Sequence, residues 1–309
     1  MPQRNRRQFL EESMLKTAAA AAAISGADEL LAEPTGRGRN ASDRLGVAVI
    51  GVRGRGNSHL GFFAAQHDTQ ILYVCDVDRE VGPLRAKQVA RRQRGCRPLW
   101  VEDLRVALDD PRVDIVSIAT PNHWHALAAL WAMEAGKDVY VEKPVSHNVR
   151  EGRRMVEAAR RYRRICQSGF QARSNYGMIQ AMHFLHEGCI GSVRLARGRY
   201  YQQLREVILD GTYPIPKHVN YDLWLGPAES EPVTRERFHY DWRWQWQYGN
   251  GDLGDQALHQ LDISRWGLQF DSIGELALGC TISPLPGKGR NRLSKQVSFH
   301  QRGDQAIVM

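Results

Sequence analysis

Three groups of residues in this chain have the types and spacing for joint chemistry: Lys143 within Glu142-Lys143-Pro144, the pair Asp255 and His259, and the glycine-rich turn Gly51-Val52-Arg53-Gly54-Arg55-Gly56. An imidazole titrates near neutral pH and can take a hydroxyl proton as general base. A lysine beside it can hydrogen-bond the same oxygen and stabilise the developing alkoxide. Asp255 and His259 are four residues apart and share one face of a helix. Asp255 then orients the imidazole or binds a substrate hydroxyl, and Asp262 does either or faces the core. Such a set removes a proton from a hydroxyl while a hydride leaves the same carbon, which requires an acceptor.

The glycine turn supplies a place for that acceptor. It follows the apolar run Leu45 to Ile50 and opens a helix, where a dinucleotide pyrophosphate is held. Gly51 and Gly56 occupy the first and third glycine positions, while Arg53 stands at the second, with its side chain turned away or pairing a phosphate. Gly54 and Arg55 complete the cradle. Asp76 lies 25 residues after Gly51 at the end of the next strand and suits a ribose 2′-hydroxyl. A carboxylate there repels a 2′-phosphate, which favours NAD over NADP; Arg79 nearby pulls the other way. The strand-end loop Ala119-Thr120-Pro121-Asn122-His123-Trp124-His125 lies beside the cofactor through Thr120, Pro121, Asn122 and His125, with Asn122 or Thr120 capping the next helix. His123 and His125 read as packing against cofactor or substrate, or as a metal pair; the reading adopted assigns no metal ligand. Glu142 and Lys143 end another strand, where ligands bind in open α/β sheets, and Pro144 keeps Lys143 extended. Gln171 contacts the nicotinamide ribose.

The elements that position these residues alternate. Strands are expected over 45–50, 70–74, 97–100, 114–119, 138–141 and 165–168. Helices are expected over 58–66, 80–92, 101–108, 125–135 and 150–162. Strand–helix alternation implies a parallel sheet covered on both faces. Further strands are expected at 192–202, 273–279 and 296–301, with a Pro-rich loop over 214–237 that reaches over the site. Trp242, Trp244 and Trp246 with Tyr240 and Tyr248 make an alternating aromatic stretch, equally a sugar-stacking platform or a strand or loop packed into the core.

The 309 residues suffice for about two domains. The net charge of +8 is spread over scattered arginines without a nucleic-acid module, and the five cysteines show no metal spacing. At the N-terminus, Asn5-Arg6-Arg7-Gln8-Phe9-Leu10 precedes an alanine-dominated stretch, 17–24, and resembles a twin-arginine translocation signal. The other reading is an alanine-rich helix of the fold. The stretch is too short for a membrane anchor. Residues 33–42 read as a linker, and cleavage falls near Ala32. Such a signal exports the folded chain to the periplasm with its cofactor loaded.

Together, the leader, the glycine turn, A-T-P-N-H-W-H, V-E-K-P and the stretch from Trp242 to Asp262 resemble the Gfo/Idh/MocA oxidoreductases, in an exported branch. The resemblance implies a signal and linker (1–42), a Rossmann NAD(P)-binding domain (43–168) and an α+β substrate domain with an open, mainly antiparallel sheet (169–309) that often carries subunit contacts. It implies that Lys143 is the catalytic lysine, that Asp255 and His259 are the D-x-x-x-H pair, that the Lys-Pro bond is cis, and that the substrate is a sugar or polyol. Relatives continue past Met309, so a shortened substrate domain with an incomplete site wall is expected. Two other readings stand beside the dehydrogenase: an NAD-dependent glycoside hydrolase using transient oxidation and elimination, and a non-catalytic nucleotide-binding remnant.

Overall fold

In the run Leu45–Ile50 (β1) every residue after Gly46 is fully or nearly fully buried, which only a central strand covered on both faces achieves. The computed structural model describes residues 44–93, 95–193, 195–200, 211–269, 279–284, 293–302 and 305–307; the leader and linker, and residues 273–278 of the strand expected at 273–279, lie outside them. Around β1 run β2 (Thr69–Cys75), β3 (Leu99–Val101), β4 (Val113–Ile118), β5 (Asp138–Glu142) and β6 (Cys166–Gly169), all parallel, in the order 3-2-1-4-5-6. The intervening helices are α1 (Arg55–Ala65), α2 (Val81–Arg92), α3 (Leu104–Leu108), α4 (Asn122–Glu134) and α5 (Val149–Tyr162). One core joins Ile50, Val116, Ile118 and Val141 to α4 and α5; the other joins Val47, Val49, Ile71 and Val74 to α1 and α2. The order reverses between β1 and β4, and the crevice there is where ligands bind in such sheets.

Two boundaries depart from expectation for local reasons. Helix α3 starts at Leu104, because Val101 pairs with Cys75 in β3 and Asp103 caps the helix by accepting the Arg105 N–H at 2.9 Å. Helix α4 starts at Asn122, earlier than 125, because Pro121 with φ −57° is the N-cap. Neither Thr120 nor Asn122 caps it, since the helix has no side-chain cap.

Beyond β6 the sequence reading missed α6 (Tyr176–His186), capped by Asn175, whose side chain accepts the Met178 N–H. The second sheet is antiparallel throughout, with β9 (Leu293–Arg302) pairing β7 (Leu195–Tyr200), β8 (Gly279–Pro284) and β10 (Gln305–Ile307). Helix α8 (Leu258–Gly267) lies against β7 closely enough that a Cβ on Gly198 would sit 2.9 Å from Gln260 Cβ. The loop expected over 214–237 contains the short α7 (Tyr221–Leu225). With Trp224, Phe238, Trp242 and Tyr248 it forms a separate aromatic core.

Candidate active site

A cavity of about 720 Å³ opens at the crevice between β1 and β4, a size typical of cofactor and small-molecule sites. Its floor is the glycine turn. Gly51 has φ +76°, and a Cβ there would press on the Ala119 carbonyl at 2.8 Å. A Cβ on Gly56 would sit 1.8 Å from the Gly51 carbonyl oxygen, so Gly56 does not face the cavity; it lets α1 close on the turn. Gly54, the N-cap of α1, faces open space, and no side chain caps the helix there. The unsatisfied N–H groups of that first turn point at the place a pyrophosphate takes.

Asp76 directly follows β2 on the cavity wall. Its carboxylate accepts the Val52 N–H at 2.8 Å and the Asp78 N–H at 3.0 Å. Burial raises its carboxyl, and those bonds only partly offset the rise. Each oxygen keeps a lone pair for a ribose hydroxyl. Arg79, which would favour a 2′-phosphate, is instead held by Glu102 through Nε at 2.7 Å. Arg53 also lines the cavity, but its guanidinium donates to Asp78 at 2.5 Å. Thr120 Oγ1 is buried on the wall without a hydrogen bond among the described residues. The uncapped helix, open Gly54 side, strand-end carboxylate and orphaned hydroxyl fit a dinucleotide.

The loop histidines are packing residues. The His125 ring lies 2.6 Å from the Pro144 carbonyl and 2.8 Å from the Thr120 carbonyl. His123 meets the Trp224 carbonyl at 3.1 Å. Both His125 nitrogens face carbonyls and only His123 Nδ1 is left without a hydrogen bond, and among the described residues the pair is joined by no further ligating side chains into a metal-binding group. Asn122 donates to Asn250 Oδ1 at 2.9 Å, tying the loop to the second half.

Opposite the turn, Lys143 directly follows β5 and precedes a cis bond to Pro144. Its Nζ donates to the Asp255 carbonyl and to Asp255 Oδ1 at 3.1 Å. Arg243 Nε lies 3.5 Å from the same Oδ1. Asp255 therefore sits between two cations and holds Lys143; no hydrogen bond joins it to the His259 ring among the described residues. Asp255 belongs to a π-turn, Leu253–Ala257, that precedes α8, so the four-residue spacing is not the single α-helical face the sequence suggested. His259 lines the cavity with Lys143 and Asp255, its ring edge-on to Phe170 at 6.2 Å. Burial and the Lys143 charge push its imidazole below the ordinary value, so at neutral pH it is unprotonated and able to accept a proton.

Behind Lys143 runs a buried relay that sequence reasoning missed. Ser117 Oγ lies 2.9 Å from His59 Nδ1, and His59 Nε2 lies 3.0 Å from Glu142 Oε1. Gln171 donates to the same Oε1 at 2.7 Å. Burial alone would raise the Glu142 carboxyl, but His59 and Arg55, 3.7 Å away, hold it below its ordinary value. An ionised Glu142 accepts, so His59 donates through Nε2 and accepts a hydrogen bond from the Ser117 hydroxyl at Nδ1. Gln171 thus positions Glu142 and lines a second, smaller cavity rather than the large one. Asp262 faces that second cavity, bound to Arg173 at 2.8 Å, so it neither orients His259 nor enters the core. The signal for His59 was present: it falls on the buried face of α1 with Gly56 and Leu60.

The aromatic stretch divides between its two readings. Of the strand and the loop expected, the loop is found: Asp241–Trp244 is a 3-10 turn. Trp242 and Tyr248 are core residues, Trp246 is 90% exposed, and Tyr240 with Trp242 lines the cavity. Leu223, Trp224 and Arg237 bring the 214–237 segment to the cavity as well.

A 3-2-1-4-5-6 parallel sheet with a glycine turn under an uncapped helix defines a Rossmann-type dinucleotide-binding protein. Residues 45–170 match the oxidoreductase family with an NAD-binding Rossmann fold, and residues 203–278 match the α/β domain that follows it in the same family. The chain belongs to the Gfo/Idh/MocA oxidoreductases, and its first domain is an NAD-binding one. A levoglucosan dehydrogenase of Pseudarthrobacter phenanthrenivorans is 30% identical over 227 residues, 72% of this chain and 50% of that protein. A glycosyl hydrolase family 109 protein of Saccharopolyspora erythraea is 30% identical over 222 residues, 66% of this chain and 48% of that protein. The solved levoglucosan dehydrogenase complex with NADH and levoglucosan superposes with a TM-score of 0.58 at 23% identity, over 86% of this chain and 65% of that one, which shows a shared fold. The chain spans about half the length of the curated relatives it matches.

Proposed function

We propose that the chain is an NAD-dependent oxidoreductase acting on a hydroxyl of a sugar or polyol. The observation that carries this is the convergence of Lys143, Asp255 and His259 on the cavity whose floor is the glycine turn. Bound NAD supplies the hydride acceptor. His259, unprotonated, takes the hydroxyl proton. Lys143, pinned by Asp255, donates to the oxygen as it gains charge. Asp76 accepts the ribose hydroxyls, which favours NAD over NADP. The leader around Arg6 and Arg7 supports export of the folded, loaded enzyme to the periplasm.

A second reading has specific support in the glycosyl hydrolase family 109 relative. In this reading the same oxidation acidifies a neighbouring C–H bond, the glycosidic oxygen leaves by elimination, water adds across the double bond so formed, and the hydride returns to the carbonyl carbon, so the cofactor is regenerated. One experiment separates the two. The purified chain is given NAD with a panel of free sugars, polyols and aryl glycosides, and NADH formation and aglycone release are followed together. Stoichiometric NADH with free sugars supports the dehydrogenase. Aglycone release with catalytic NAD and no net NADH supports the hydrolase. Lys143→Ala and His259→Ala should each lower turnover about 10²–10⁴-fold while keeping NAD binding. Bound NAD with neither product across the panel would leave a nucleotide-binding remnant as the better account.

A further inference from the structure

The most unusual cluster outside the proposed proton-transfer set gathers Asp78, His218 and His239. Asp78 follows β2, and none of its surface is exposed. Its Oδ1 accepts the N–H groups of Glu80 at 2.9 Å and Val81 at 3.1 Å. Its Oδ2 faces His239 Nε2 at 3.5 Å and His218 Nε2 at 3.7 Å. The two imidazoles stack at 21° with centroids 6.4 Å apart. His239 Nε2 is buried without a hydrogen bond among the described residues, although a carboxylate oxygen lies close by. One donor atom from each residue lies within 4.8 Å of the other two.

We propose that Asp78, His218 and His239 form a three-donor site for a divalent zinc-class cation. The separations carry the argument. Bonds of about 2.0–2.2 Å in tetrahedral geometry put neighbouring ligand atoms about 3.3–3.6 Å apart. The carboxylate–imidazole separations of 3.5 and 3.7 Å need only a few tenths of an ångström of closure. Two imidazoles and one carboxylate suit zinc and its first-row neighbours rather than magnesium or calcium.

The backbone holds the donors in place. Asp78 and Val219 form an antiparallel bridge; Arg79 N–H donates to the His218 carbonyl at 2.8 Å and Asn220 N–H to the Val77 carbonyl at 2.9 Å. His239 arrives from the aromatic core beside Phe238. The ion therefore staples the end of β2 to the second half of the chain. In its absence Arg53 provides the counter-charge for Oδ2 at 2.5 Å. The Arg53 side chain is 46% exposed, so leaving gives up one partly solvated ion pair. The fourth coordination position then falls on the Arg53 side, where Arg53 and His239 both line the large cavity.

The test uses the full chain, stripped with a chelator and titrated with Zn²⁺ and separately with Co²⁺. One equivalent should bind, and Co²⁺ should give the intense visible bands of a tetrahedral site. Asp78 also caps α2, so its replacement risks misfolding; His218→Asn, at an accessible ring, and His239→Ala are the variants to use. Each should weaken binding by about 100-fold or more, at or beyond the top of the 10–100-fold range that an outer-shell change costs. Arg53→Met should tighten binding by removing the competing cation. Failure of either ion to bind at one equivalent overturns the proposal. So does binding that both histidine variants leave intact.

Discussion

The two halves of the molecule bury their interiors by different means. In the first, β1 and β4 bury Val47, Val49, Val116 and Ile118 against helices, and any aliphatic residue of similar volume fills such a place. In the second, between 211 and 250, no strand forms among the described residues, and the core closes around a charge. Arg235 has no exposed surface. Its guanidinium lies 4.4 Å from the Phe238 ring centroid, 4.5 Å from Trp224 and 5.2 Å from Tyr248. Nε donates to the Phe238 carbonyl at 2.9 Å and Nη1 to Gln245 Oε1 at 2.7 Å. One interior depends on volume and alternation, the other on the direction of particular bonds.

The largest effect expected lies in the first half, at a place where that half is not tolerant. Gly56→Ala drives a methyl to within 1.8 Å of the Gly51 carbonyl oxygen, and backbone there cannot yield cheaply. The variant should lose roughly 3 kcal/mol of stability and bind NAD at least about 100-fold more weakly, because α1 can no longer close on the turn. Gly54→Ala, with nothing within 4 Å of the added methyl, is the control. It should keep its stability within about 0.5 kcal/mol and weaken only NAD, since the methyl enters the cavity. Urea unfolding and NAD titration of both variants decide the matter; equal behaviour of the two glycines would sink the distinction.

The next effect concerns the seam between the halves. His123 in α4 donates its backbone N–H to the Tyr248 carbonyl at 3.3 Å and sets its ring against the Trp224 carbonyl. Burial pushes its imidazole down to about 4. Between that value and the ordinary 6.5 the unfolded chain takes up a proton that the folded chain refuses. The stabilisation is therefore complete above pH 6.5 and is lost as pH falls towards 4, on the order of 3 kcal/mol in all. His123→Gln cannot charge, so it should be less stable at neutral pH yet less acid-sensitive. His239, also held at about 4, leaves part of the slope. An unchanged slope in His123→Gln would assign the acid sensitivity elsewhere.

The contrast also explains what was legible. Strand β1 was read with its observed bounds because an unbroken apolar run has one use in a parallel sheet. Lys143 was found from its place at a strand end, Asp255 and His259 from their spacing, and all three line one cavity. Arg235, Arg243, the Ser117–His59–Glu142 relay and the Asp78–His218–His239 cluster were not read. Their partners are brought together by tertiary folding, and no local period announces them. Gln171 was placed at the nicotinamide ribose because it follows a strand end, yet its amide turns back onto Glu142. Asp255 was expected to serve His259 because a regular helix would make them neighbours; the π-turn directs its carboxylate to Lys143 and Arg243 instead.

Conservative substitutions set the two interiors against each other most directly. Ile118→Val removes one methylene from a fully buried site in β4 and should cost about 1 kcal/mol. Arg235→Lys keeps the charge but loses the planar fork: an ammonium cannot donate to both the Phe238 carbonyl and Gln245, nor lie flat among three rings. One unpaired buried acceptor and a weakened cation–π contact together should cost about 2 kcal/mol. Arg235→Met, which removes the charge altogether, separates the terms, because burial already disfavours the charged guanidinium and lowers its pKa. If Met proves more stable than Lys, the cage is mainly a hydrophobic site that tolerates arginine. If Lys proves more stable than Met, the rings hold the charge itself. Trp224 and Trp242 lie in this cluster, so tryptophan fluorescence during urea unfolding, compared with far-ultraviolet circular dichroism, shows whether the aromatic core loosens before the parallel sheet. A cost for Arg235→Lys no greater than that of Ile118→Val would mean that the second half, too, is held by volume rather than by bond direction.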